Sequence, residues 1–99
     1  MKPRLTNRRT LAALDQTSKL FEVPAREIVG QCRQPSITRA RFALIASLYQ
    51  ACETSYPEIG RFLRRDCATV LHAHRRAIKM AEADQEYATA IASIAEVCR

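Results

Sequence analysis

Apolar residues recur along this chain at intervals of three and four, the spacing that lines one face of an α-helix. From about Arg9 to Phe21, Leu11, Leu14 and Phe21 keep that spacing, with Ala13 and Leu20 beside them. Val23-Pro24 breaks the run, because the residue before a proline is pushed out of helical backbone. A short second helix is predicted from Pro24 to Val29, with proline in its first turn and Gly30 at its end. Gln31 to Ser36 reads as a loop. A long helix follows from about Thr38 to Glu53, with Phe42, Ile45, Leu48, Tyr49 and Cys52 as its buried stripe. Ser55 is placed to cap a fourth helix, Tyr56 to Leu63, with Pro57 in its first turn and Glu58 at the capping-box position. Arg64 and Arg65 form a tight turn. Asp66 caps a fifth helix reaching about Ala83, and Asp84 starts a sixth, Gln85 to Cys98. Tyr87, Ile91, Ile94 and Cys98 share one face of that last helix. No segment alternates in the manner of a strand. The pattern predicts an all-α domain of about six helices. Its fourth and fifth helices, joined by a very short turn, have the outline of a helix-turn-helix.

Composition narrows this picture. With 99 residues the chain has room for one small domain. Apolar residues make up 47% and charged residues 26%, which suits a packed fold rather than a disordered one. No apolar run approaches the ~20 residues that cross a bilayer, and the N-terminus lacks the apolar core of a signal peptide. The expected location is cytoplasmic, associated with the nucleoid. The cysteines at 32, 52, 67 and 98 match no zinc-ligand spacing and are expected to be free thiols.

Charge separates the chain into regions. The net charge is +6, but residues 1–9 carry +4 and residues 57–79 another +4, while residues 80–99 carry −3. Residues 1–8 read as a flexible basic arm and residues 9–99 as one helical domain. Concentrated positive charge attracts polyanions, nucleic acid above all, through release of counterions.

The stretch RRDCATVLHAHRR, Arg64 to Arg76, holds the candidate chemistry. At ~100° per residue from Asp66, Val70, Cys67, Leu71, His74, Ala77 and Ile78 fall within roughly 20° to 140°, a core-facing arc. Ala68, Thr69, His72, Arg75, Arg76 and Lys79 fall within roughly 180° to 300°, a basic face without carboxylates. His72 and His74 lie about 200° apart, so they cannot share a metal. His74 reads as a half-buried histidine. No catalytic residue and no metal ligand is expected, because no nucleophile and base stand at a workable spacing. The face suits a major groove instead: Thr69 offers a hydroxyl and a methyl, and the arginines offer phosphate or guanine contacts. Asp66 either caps its helix or also accepts from a cytosine amino group.

SYPEIGRFLRRDCATVLHAHRR resembles the signature of the C-terminal, DNA-binding domain of the bacterial replication initiator DnaA, approximately S-x-P-E-I-G-x-x-F-G-G-R-D-H-T-T-V-x-H-A. SKLFEVPAREIVG resembles that family's first two helices, and ITRARFALIASLYQACE its long third helix. The resemblance implies a Trp repressor-like helical fold that binds a short box in duplex DNA. Carried over by position, it implies that Arg33 enters the minor groove. Asp66, Thr69 and His72 would face bases, and Arg65 matches the signature arginine. Beyond the resemblance, Ala68 shares that face, and the extra arginines Arg61, Arg64, Arg75 and Arg76 are expected to add phosphate contacts. Tyr56 and Pro57 would meet phosphate at a helix N-terminus, as would Arg41 near the same strand. Three departures stand out. Arg64 replaces the family's glycine pair, one residue short; Cys67-Ala68 replaces His-Thr; Pro35 replaces a loop arginine. Cys67 and Ala68 cannot make the hydrogen bonds of histidine and threonine. At ~1–3 kcal/mol per base contact, the preferred sequence is expected to differ from the family's box.

No G-x-x-x-x-G-K-[ST] phosphate loop is present, so neither a nucleotide nor any other cofactor is expected. The expected protein is a stand-alone small relative with double-stranded DNA as partner. It would regulate transcription or replication initiation by occupancy. The alternative is a protein-interaction module that kept the fold and lost specific DNA binding.

Overall fold

The computed structural model describes Met1–Arg99 as six helices. They are α1 (Asn7–Phe21), α2 (Ala25–Ile28), α3 (Pro35–Ala51), α4 (Tyr56–Leu63), α5 (Cys67–Ala83) and α6 (Gln85–Cys98). The all-α fold and the helix-turn-helix of α4 and α5 agree with the sequence pattern.

α3 is the axis of the molecule. Helices α1, α5 and α6 all pack against it. Ala40, Ala43, Leu44, Ile45, Ala46, Leu48 and Ala51 are buried around its circumference, beyond the expected stripe. Its alanines let neighbouring backbones come close. Ser47 in their midst donates to Ala43 O at 2.7 Å and lies 3.1 Å from Ile91 O, so its buried hydroxyl is satisfied across the α3–α6 seam. Arg39 ties the same two helices, meeting Asp84 at 2.7 Å while its guanidinium lies 4.4 Å from the Tyr87 ring centre. Tyr87 Oη donates to Arg39 O at 2.7 Å.

α1 departs from its expected face. Leu11 is 63% exposed and Leu20 43%, while Thr10, Ala13 and Thr17 are buried. The threonines enter the core because their hydroxyls are satisfied locally: Thr10 Oγ1 donates to Thr6 O at 2.8 Å and Thr17 Oγ1 to Ala13 O at 2.7 Å.

The N-terminal segment differs from a loose arm. Thr6 caps α1, which therefore starts at Asn7. Leu5 sits in the core at 5% exposure, and Glu53 N donates to Pro3 O at 2.7 Å. Arg4 reaches Glu58 at 3.3 Å and Glu53 at 3.8 Å. Apolar burial and a backbone hydrogen bond thus dock this segment against the α3–α4 connection.

Candidate nucleic-acid interface

α4 begins on Ser55, whose Oγ accepts from Glu58 N at 3.3 Å. It ends on Arg64, which adopts left-handed backbone (φ 57°, ψ 49°). Glycine is the usual residue there, because a Cβ in that conformation crowds the following carbonyl. The chain then folds back so closely that Arg65 N donates to Gly60 O at 2.8 Å. Asp66 caps α5, its Oδ1 accepting from Thr69 N at 2.7 Å. Hydrogen bonds from Thr69, first its side chain and then its amide, hold the Asp66 carboxyl below the usual carboxylate range.

Along α5, Val70, Ala73 and Ala77 are buried and His74 and Leu71 are half-buried. The core-facing arc is therefore rotated from the expected one. Cys67 and Ile78 are exposed, and Ala73 joins Val70 and Ala77 in the core. The opposite face keeps its expected character. Ala68, Thr69, His72, Arg75, Arg76 and Lys79 are all exposed. Lys79 belongs to this surface on the same helical periodicity as His72 and Arg76. None of Arg33, Arg64, Arg75, Arg76 and Lys79 is paired with a carboxylate, whereas Arg61 lies 4.0 Å from Glu58.

Arg33 is exposed on the loop between α2 and α3. That loop lies against the turn before α5, since Arg65 Nη2 donates to Gly30 O. The segment leading into Arg33 is thereby tied to the turn before α5.

Arg41 and Arg65, both expected at the DNA interface, are engaged within the protein. Arg41 is not turned outward. Its Nε donates to Ile28 O at 2.6 Å, and its Nη2 lies within reach of Glu27 O at 3.0 Å, Gly30 O at 3.2 Å and Cys32 O at 3.0 Å. The physical reason is that the C-terminal carbonyls of a four-residue helix have no intrahelical partner and draw a cation. Arg65 is likewise half-buried on Gly30 O, with Nη1 buried and unpartnered. At the α4 N-terminus, Pro57 has no N–H to give and Glu58 N is taken by Ser55, which leaves Tyr56 N as the donor.

The Tyr56 side chain points inward. Its ring stacks on Tyr49 with centres 4.7 Å apart, and its hydroxyl is 2.8 Å from His74 Nδ1. With the proton of a neutral ring assigned to Nε2, the hydroxyl donates. His74 therefore joins α5 to the start of α4, and burial pushes its pKa below the usual 6.5. As pH falls, the unfolded chain takes up this proton before the folded one does. The stability that neutral His74 contributes is present above about 6.5 and is lost as pH falls through the folded value. The melting temperature is thus expected to fall between about pH 7.5 and about pH 5, and His74→Gln to flatten that fall. Thermal melts across the range check this. Asp66 and Asp84, both lowered from 3.8, act in a separate and more acidic window.

The pattern of the bacterial DnaA protein helix-turn-helix matches residues 12–77, from within α1 to the middle of α5. The chain belongs to that family. No curated protein matches the sequence. The family is a non-catalytic module that binds double-stranded DNA. No helix is long and apolar enough to cross a membrane. All four cysteines are free; Cys52 and Cys98 are buried, and burial pushes the Cys98 thiol up to about 12.

Proposed function

We propose that this protein recognises a short DnaA-box-type sequence in duplex DNA and regulates replication initiation or transcription by occupying it. The exposed face of α5 beside unpaired Arg33 carries this reading. Thr69, His72 and Asp66 read base edges in the major groove, and Arg33 reads the neighbouring minor groove. Arg64, Arg75, Arg76 and Lys79 hold the phosphates, helped by Tyr56 N. Such a domain acts by occupying its site on the duplex.

Cys67 sits exposed where the family carries a histidine, and Ala68 presents only a methyl group. Base preference therefore rests on fewer hydrogen bonds than in the family, while the free cations retain backbone affinity. Binding-site selection from a randomised duplex pool tests this. A defined short motif is expected, with a salt slope of about −4 if four cations each displace a counterion. A pool that emerges unenriched overturns sequence recognition and favours the protein-interaction module.

A further inference from the structure

We propose that Arg41 and Arg65 are positioning residues that clamp the α2–α3 loop, so that Arg33 is held in fixed register with α5. This rests on the DNA-binding reading above and adds a device that sets its specificity. Every acceptor of the two side chains is a backbone carbonyl between Glu27 and Cys32, the segment that leads directly into Arg33. The loop has little else to hold it. From Gln31 to Gln34 no backbone amide donates to a backbone carbonyl. The arginines therefore supply, through carbonyls, the order that a backbone ladder would otherwise give.

The arrangement is electrostatically costly. Two guanidinium groups share the Gly30 carbonyl with no carboxylate between them. Burial first, and then Arg65, lowers the Arg41 pKa. Arg41 comes from α3, whereas Arg65 immediately precedes Asp66, the cap of α5. The shared carbonyl thus ties the loop that carries Arg33 to the first residues of the recognition helix. A lysine at 41 would keep the charge but lose the planar fork that reaches several carbonyls at once.

The test compares site selection by the wild type, Arg33→Ala, Arg41→Lys and the double variant. Positions that lose preference in Arg33→Ala define what Arg33 reads. Arg41→Lys is expected to lose preference at those positions only and to weaken binding about 10-fold or more, the scale of one base contact. The double variant is expected to lie within about 2-fold of Arg33→Ala, because coupled residues do not add. Hydrogen exchange at residues 31–34 is expected to speed up in Arg41→Lys. If that variant does not fold, Arg65→Lys takes its place with the same readouts. Uniform weakening at all positions, additive losses or wild-type selection by Arg41→Lys would each overturn the clamp alone. Absence of any selected motif in the wild type would overturn the DNA reading, and the clamp with it.

Discussion

Gly60→Ala is expected to destabilise the protein by about 2–3 kcal/mol and to lower its melting temperature by roughly 10 °C or more. A Cβ added at Gly60 would lie 2.4 Å from Arg65 O and 3.4 Å from Arg65 C. These are backbone atoms of the tight turn, so no rotamer change relieves the clash. Alanine in place of glycine within a helix would ordinarily gain about 1 kcal/mol, and the contact has to outweigh that gain. Relief requires the turn to open, which would shift Asp66 and the start of α5. DNA affinity should therefore fall along with stability. Gly30→Ala is the milder comparison, because its Cβ would meet Arg26 O at 2.9 Å. Urea unfolding of the two variants measures the difference. A Gly60→Ala protein within about 0.5 kcal/mol of wild type would show that the turn is not packed as described.

Thr69→Ala with His72→Ala is expected to weaken binding to the selected duplex by about 100-fold or more, at ~1–3 kcal/mol for each base contact. Stability should stay within about 0.5 kcal/mol, since both side chains are exposed. The cap on Asp66 survives through the Thr69 backbone amide. Arg76→Ala should behave differently. It should weaken selected and unselected duplexes alike and reduce the salt slope by about 1, as loss of a phosphate contact does. Fluorescence anisotropy with both kinds of duplex, at several salt concentrations, distinguishes the two patterns. Equal losses on both duplexes for the Thr69/His72 variant would remove α5 from base recognition.

Much of this architecture is legible in the residues because local rules decided it. Ser55, Asp66 and Asp84 each cap the helix that their residue type announces. The exposed face of α5 followed from helical periodicity and the absence of acids. What was not legible depended on contacts distant in sequence. Thr10 and Thr17 read as polar but lie in the core, since each satisfies its own hydroxyl within the helix. The buried positions of α3 extend beyond the stripe of Ile45, Leu48 and Cys52, because α1, α5 and α6 all pack against this helix. Leu5 is one apolar residue in a basic segment and has no periodic partner to signal its docking. Arg41 reads as a surface cation in an R-x-R pair. Only the fold shows that the end of α2 comes within its reach.

The central claim is that duplex DNA lies across the exposed face of α5 and the Arg33 loop together. Amide shift mapping of the labelled protein, titrated with its selected duplex, tests this most directly. The account predicts that the largest changes cluster at residues 31–34 and 64–79, while α6 stays still. Changes centred on α1 or α6, with Thr69, His72 and Arg33 unmoved, would contradict it.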